Sequence, residues 1–179
     1  SGMTMDRQCA SGMMAIATAA KQIITDGMDV AVGAGIDSIS MVQNDHMNTH
    51  YAVDPSLVAM HENAYMPMLQ TAEVVASRYG ISREAMDEYG LQSQQRTAAA
   101  QKAGKFDDEI VPLAAKMGVM DKETKKISFH DVCLDKDEGN RPETTLEGLA
   151  GLGTVVEGGT ITAGNASQLS DGASASVLM

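Results

Sequence analysis

The sequence is poor in several things at once. It has no tryptophan, and only four tyrosines and two phenylalanines, so aromatic residues make up 3% of the chain. A core with so few rings has to be built from small and aliphatic side chains packed closely. Basic residues are scarce as well, 13 Lys and Arg against 24 Asp and Glu for a net charge of -11, which argues against a nucleic-acid partner. Two cysteines, Cys9 and Cys133, cannot make a disulfide framework in a chain of this length and fit a reducing compartment, the cytoplasm or an organelle matrix. The longest apolar region, Met13 to Ile36, is broken by Lys21, Asp26 and Asp29, so no run of membrane-spanning length exists. Asp6 and Arg7 stand where the apolar part of a signal peptide would begin.

What is plentiful is methionine and glycine, 14 and 17 residues among 179. The chain is long enough to bury a core as one domain, or as one domain with a large insertion. It starts at Ser1 and closes on Ala-Ser-Val-Leu-Met179, a run that reads as a strand, so both ends are expected to lie within folded structure.

The clearest helix runs from residue 9 to 27. Met13, Ala17, Ala20 and Ile24 recur on one face with Ala15, Ala19 and Ile23 beside it, and Gly27 supplies the stop. Being apolar almost all round, it is expected to be buried between layers. Asp29 to Gly35 follows as a short apolar run that reads as a buried parallel strand, the rhythm of an α/β domain. Gln43 to Met68 shows no sustained period and is read as loop with short helices. Thr71 to Tyr79 reads as a helix ended by Gly80, and Ser82 caps a longer one from Arg83 to Ala103, ended by Gly104. Asp108 to Leu113 looks like a short edge strand because Pro112 cannot serve a central ladder. Asp121 to Glu147 is charged and reads as mostly irregular, and apolar alternation returns at Thr160 to Ala163 and at Ala173 to Met179. The architecture expected is an α/β core, residues 1-41 and 158-179, interrupted by an insertion over residues 42-157.

Two segments invite chemistry. Cys9 falls at the first turn of the expected buried helix, where unpaired N-H groups and the helix dipole favour a thiolate, with Arg7 close by in sequence. The small Ser11-Gly12 pair would let a substrate approach the sulfur. On residue type alone, a small buried hydrophobe is the competing reading. The run Gly159 to Gly172, dense in Gly, Ala, Ser and Asn between two expected strands, suits a loop whose backbone approaches a ligand; an ordinary turn is the alternative.

These segments carry a family resemblance. Arg7-Gln-Cys-Ala-Ser-Gly12, followed by an Ala-rich helix, resembles the nucleophile motif of the thiolases, the acyl-CoA:acetyl-CoA acyltransferases. Thr162-Ala-Gly-Asn-Ala-Ser-Gln-Leu-Ser-Asp-Gly172 resembles their second signature, and Gly35-Ile-Asp-Ser-Ile-Ser40 the strand end after the nucleophile helix. Thr71-Ala-Glu-Val-Val-Ala76, Ile81-Ser-Arg-Glu84, Phe106-Asp-Asp-Glu-Ile-Val-Pro112 and Asp137-Glu-Gly-Asn-Arg-Pro142 are similar, in order, to the family's loop domain. The resemblance runs through the whole chain.

It implies part of a layered αβαβα fold with residues 42-157 as a loop domain facing coenzyme A. Cys9 would be the nucleophile that takes an acyl group as a thioester. Ser167 would lie against the pantetheine arm of coenzyme A, Arg141 would meet its nucleotide end, and Met68 would line the acyl pocket. Coenzyme A thioesters would be substrates, with no permanently bound cofactor and no metal, and a homodimer or homotetramer is implied. Eight of the 13 Lys and Arg fall between Lys102 and Arg141, in the part expected to face coenzyme A, although most of the lysines read equally as solvated surface charge. Asp6 departs from the family's usual Asn and places a negative charge near the thiolate.

The family's second half holds a His in a Gly-His-Pro motif, a second Cys in a Cys-x-Gly-Gly context and an oxyanion-hole Asn. Neither motif occurs in these 179 residues: His46, His50, His61 and His130 are not followed by Pro, and Cys133 lies in Phe129-His-Asp-Val-Cys-Leu134 without glycines. Two other readings compete with the enzyme. One is a module that holds coenzyme A or acyl-CoA without catalysis; the other is a Cys-His hydrolase pairing Cys9 with one of the four histidines. His130 and Cys133 as half of a metal site have no second pair of ligands.

Overall fold

A computed structural model describes residues 2–179. In chain order the elements are α1 (Ser11–Asp26), β1 (Ala31–Asp37), α2 (Ile39–Val42), α3 (Pro55–Met60), α4 (Met68–Tyr79), α5 (Arg83–Lys102), β2 (Leu113–Met120), β3 (Ile127–Leu134), α6 (Leu146–Ala150) and β4 (Gly172–Leu178). A 3-10 turn, Gln8–Ala10, precedes α1. The chain is mixed α/β and divides into two compact units, Ser1–Asp54 with Leu169–Met179, and Pro55–Gln168.

In the first unit, α1 packs on a two-stranded sheet. Gly27 ends the helix in the left-handed region (φ 71°), its N-H returning to the Gln22 carbonyl, so the chain can reverse into β1. β1 is not part of a parallel pair, as its position after a helix suggests; it pairs antiparallel with β4, from Ala31 opposite Leu178 to Asp37 opposite Gly172. Its burial is slight too, with Gly33 alone fully buried. The helix likewise departs from the expectation of cover on all sides. Ala19 is its one buried residue, while Met13 and Ile24 are 77% and 80% exposed. The face turned inward is therefore the Ala15, Ala19, Ile23 row, and the larger Met13 and Ile24 point away. Two strands are too narrow to cover more than one row of a helix.

Gly33 explains how close that row comes. A Cβ built on it would lie 2.8 Å from the Ile16 Cα and 2.9 Å from its nitrogen, both backbone atoms that cannot swing aside. The missing side chain of Gly33 sets the distance between helix and strand at Ile16.

In the second unit, α4 starts at Met68 directly after Pro67, three residues earlier than the periodicity indicates. Gly80 (φ 62°) ends it, and the Ser82 hydroxyl accepts the Ala85 N-H at 3.2 Å to start α5. The stretch Asp108 to Leu113 is not a strand. Glu109 and Ile110 donate back to the Phe106 carbonyl in a turn, and only after Pro112 does β2 begin. Residues 121–126 and 135–145 are irregular as expected, but between them β3 pairs antiparallel with β2, from Leu113 opposite Leu134 to Met120 opposite Ile127. The Asp121 carboxylate makes their connection by accepting the Glu123 and Thr124 N-H groups and the Thr124 hydroxyl. Thr160 to Ala163 forms no strand but one bridge, Thr162 to Thr154.

Because the atoms facing Gly33 are main chain, Gly33→Ala should destabilise the first unit by about 1–3 kcal/mol. Thermal or urea unfolding of the variant checks this, and unchanged stability would contradict the close approach.

Candidate active site

The first unit places Cys9 at the tip of a tight turn leading into α1. Gln8 sits at φ 50°, a left-handed conformation uncommon for a residue with a side chain. Local hydrogen bonds hold it there. The Asp6 Oδ1 accepts the Gln8 N-H at 2.7 Å, the Ser11 Oγ accepts the Arg7 N-H at 2.8 Å, and that hydroxyl donates to the Gln8 carbonyl at 2.7 Å. Asp6, the departure from the family's Asn, is thus an acceptor on which the turn depends. Cys9 is an exposed free thiol, and the residue before α1, Ala10, brings no side-chain acceptor to the first N-H groups of the helix. An exposed thiol thus sits on a strained turn just ahead of a helix start that has no side-chain cap. Among the described residues no hydrogen bond joins Cys9 to a histidine: His130 Nε2 meets the Ser128 hydroxyl at 3.0 Å, and His50 packs against Tyr51.

In the same unit, the Asp171 carboxylate accepts the Ser40 N-H at 2.9 Å and the Ser40 hydroxyl. The Ser40 hydroxyl, ahead of the backbone N-H, holds the Asp171 carboxyl below its ordinary value. This contact ties the end of the second Gly-rich segment to the segment that follows β1.

The second unit holds the rest of that Gly-rich segment. Thr162 is fully buried. Its N-H donates to Asn165 Oδ1 at 2.8 Å, and its hydroxyl accepts the Gly164 and Asn165 N-H groups. From α4, Glu73 accepts the Thr160 N-H (2.8 Å), the Ile161 N-H (2.8 Å) and the Thr160 hydroxyl (2.8 Å). From α5, Asp87 accepts the Asn165 Nδ2 at 3.0 Å. Arg83 pairs with Asp87 at 2.8 Å and donates to the Leu149 and Leu152 carbonyls. The Ile161 N-H is the main reason that the Glu73 carboxyl is held below its ordinary value. Two helices therefore grip a loop that has no ladder of its own.

Ser167 lies exposed just past this gripped loop. Arg141 is exposed as well, its main-chain N-H donating to Gln94 Oε1 at 2.8 Å. Met68 is the first residue of α4 and is 75% exposed. One hydrogen bond, Gln168 Nε2 to the Gly139 carbonyl at 2.8 Å, joins the neighbourhoods of Ser167 and Arg141. Met68, Arg141 and Ser167 belong to the second unit and Cys9 to the first. In the sequence, Glu73 and Arg83 fall in loop-domain motifs with no contact assigned to them, and Asp87 is not singled out. An acid on an Ala-rich helix face, Glu73 between Ala72 and Ala76, was the available signal. Among the described residues no group of three or more His, Cys, Asp or Glu is arranged to hold a metal ion, and no helix is long and apolar enough to cross a membrane.

Against this geometry, a family profile described as thiolase, N-terminal domain, matches residues 1–179. The chain is 40% identical to a peroxisomal 3-ketoacyl-CoA thiolase 2 of Arabidopsis thaliana, with 98% of this chain and 37% of the relative covered. It is 41% identical to a 3-ketoacyl-CoA thiolase of Bacillus subtilis, over 99% of this chain and 45% of the relative. Human mitochondrial 3-ketoacyl-CoA thiolase in complex with CoA superposes with a TM-score of 0.73 at 36% identity, covering 97% of this chain and 43% of that one. The dimeric peroxisomal thiolase of Saccharomyces cerevisiae gives 0.78 at 30% identity, over 97% and 42%. The chain thus spans about two fifths of the length of the relatives it matches.

Two outcomes follow. Asp6→Asn keeps the Oδ1 acceptor and removes a charge, so iodoacetamide should alkylate Cys9 about threefold faster at low ionic strength; Asp6→Ala, which loses the acceptor, should loosen the turn. Glu73 is depressed in the folded state, so its stabilisation is complete above the ordinary carboxylate value of 4.5 and is lost as pH falls through the lower folded value. Glu73→Gln should lower stability at pH 7 and flatten the loss between pH 5 and pH 3, read from urea midpoints.

Proposed function

The chain belongs to the thiolase family, whose N-terminal domain it spans, and from that premise we propose that Cys9 is the nucleophile of an acyl-CoA:acetyl-CoA C-acyltransferase. In the degradative direction the Cys9 thiolate attacks the 3-keto carbon of a 3-ketoacyl-CoA. The bond between carbons 2 and 3 breaks, its electron pair leaves on carbon 2, and a proton there completes acetyl-CoA. The shortened acyl group stays on sulfur as a thioester until a coenzyme A thiol displaces it and restores Cys9. The reverse sequence is Claisen condensation. The observation that carries the reading is Cys9 at the tip of the Asp6–Ser11 turn, exposed, ahead of an uncapped helix.

This chain's residues divide the remaining work. Ser167, exposed beside the gripped loop, lies along the pantetheine arm. Arg141 meets the nucleotide end of coenzyme A. Met68, apolar and exposed at the start of α4, lines the acyl pocket. Residues 42-157 form the loop domain that faces coenzyme A, and 1-41 with 158-179 the catalytic core. Coenzyme A thioesters act as substrates, and no cofactor is held permanently. The protein works as a homodimer or homotetramer in the cytoplasm or an organelle matrix. Support for self-association comes from the apolar residues that α1 leaves exposed and from the dimeric yeast thiolase to which the chain is similar.

Proton transfer to and from the reacting atoms needs a general base and oxyanion donors, each contributing on the order of 10²-fold or more. No Gly-His-Pro and no Cys-x-Gly-Gly stands in these 179 residues, and the competing reading is a non-catalytic module that binds coenzyme A or acyl-CoA. The two readings part on the thiol. If Cys9 is the nucleophile, iodoacetamide modifies it faster than Cys133, and acetyl-CoA slows that modification by forming the thioester. Equal rates at the two cysteines, untouched by acetyl-CoA, favour the binding module. The 179-residue chain by itself should show negligible thiolysis of acetoacetyl-CoA; turnover comparable to a complete thiolase would overturn this division of labour.

A further inference from the structure

The segment Asp137 to Arg141 has no secondary structure, yet glutamines hold it at three points. From α5, Gln94 Oε1 accepts both the Arg141 N-H (2.8 Å) and the Asn140 Nδ2 (2.8 Å), while the Gln94 carbonyl accepts Asn140 Nδ2 as well (2.9 Å). One helical turn pair further on, Gln101 Nε2 donates to the Asp137 carbonyl at 3.0 Å. From beyond Ser167, Gln168 Nε2 donates to the Gly139 carbonyl at 2.8 Å. Gly139 admits it because any Cβ there would lie 2.9 Å from Gln168 Oε1. Positions 94 and 101 lie seven residues apart on one helix face, so α5 presents both amides to the same side. On the far side of Arg141, its carbonyl accepts the Thr144 N-H (3.1 Å) and hydroxyl (2.7 Å).

The main chain of Arg141 is therefore fixed before and after the residue, while its side chain is exposed and its guanidinium makes no ion pair among the described residues. A cation held by its backbone and left free at its tip is preorganised for an anion, since ordering costs are met before the ligand arrives. Resting on the reading of Arg141 as the contact to the nucleotide end of coenzyme A, we infer that Gln94 and Gln168 are positioning residues for coenzyme A. Gln94 sets the place of Arg141. Gln168 ties the segment that carries Arg141 to the segment that carries Ser167, so that the two ends of one ligand are met at a fixed separation.

The two glutamines work by opposite chemistry, which gives the test its form. Gln94 acts through an oxygen that accepts two N-H groups, a task a carboxylate also performs; Gln168 acts through an N-H that a carboxylate lacks. In the full-length protein, binding of coenzyme A and of dephospho-CoA (without the 3′-phosphate) is measured by calorimetry for each variant, beside kcat, KM and melting temperature. Gln94→Ala should weaken coenzyme A about tenfold and dephospho-CoA much less, with KM following and kcat within about twofold. Gln94→Glu should restore binding to within about twofold, whereas Gln168→Glu should bind as poorly as Gln168→Ala. In an Arg141→Ala background, Gln94→Ala should add nothing, the sign of two residues acting through one contact. If Gln94→Ala melts early, the opposite responses to Glu at the two positions decide the matter. Equal weakening of both ligands by Gln94→Ala, or equal responses to Glu at 94 and 168, would overturn the inference while leaving Arg141 in place. Unchanged binding of both coenzyme A and dephospho-CoA by Arg141→Ala would instead overturn the reading on which the inference rests.

Discussion

The second unit depends on two carboxylates turned toward a loop. Glu73 and Asp87 come from separate helices, and between them they take the Thr160 and Ile161 N-H groups and the Asn165 amide. A segment rich in Gly, Ala and Ser has little apolar surface to bury and no ladder to join, so its shape has to come from polar contacts. Charge-assisted bonds to backbone N-H groups are the strong kind. Once these are made, Thr162 can be fully buried without an unmet polar atom, its hydroxyl and N-H both used within the loop. Arg83 neutralises Asp87 and reaches on to the Leu149 and Leu152 carbonyls, which carries the same network to the end of α6.

The first unit is organised by the absence of bulk. Gly33 lets helix and strand approach until main chain nearly meets main chain. Ahead of that helix, the Asp6–Ser11 turn holds Gln8 at a positive φ and leaves Cys9 at the outside of the bend. Rigid support behind a strained turn fixes where the Cys9 sulfur is presented.

Some of this was legible in the sequence, for local reasons. Ser82, Gly80 and Gly104 mark ends of α4 and α5 because caps act within a few residues, and Gly27 marks the end of α1 for the same reason. The Gly-rich segment stood out by composition. Cys9, expected in the first turn of a buried helix, lies exposed in a 3-10 turn ahead of α1. The contacts that bend the chain there, Asp6 to Gln8 and Ser11 to Arg7, leave no periodic mark. What stayed hidden involves distant partners. β3 was obscured because Ser128, His130 and Asp131 lend an exposed strand the composition of a loop. The antiparallel pairing of β1 follows from where β4 lies, which no local pattern records. Glu73 and Asp87 looked like ordinary helix-surface acids, since their partners are backbone groups far along the chain. Arg141 and Ser167 were singled out through resemblance, but Gln94, which holds the Arg141 backbone, was not, because an amide on a helix has no signature until its partner is known.

The pairing of β1 with β4 also governs the order of events as the chain is made. Asp37 finds its partner in Gly172, so everything between them must emerge from the ribosome before β1 can close its sheet. During that interval an Ala- and Met-rich helix and a strand with an open edge are both in solution without cover. Long-range closure of this kind slows folding. The second unit can close its β2–β3 hairpin early, but the grip of Glu73 and Asp87 on residues 160–165 waits for that loop as well. Until β4 is made, the uncovered edge of β1 and the face of α1 beside it are surfaces with much to gain from a chaperone.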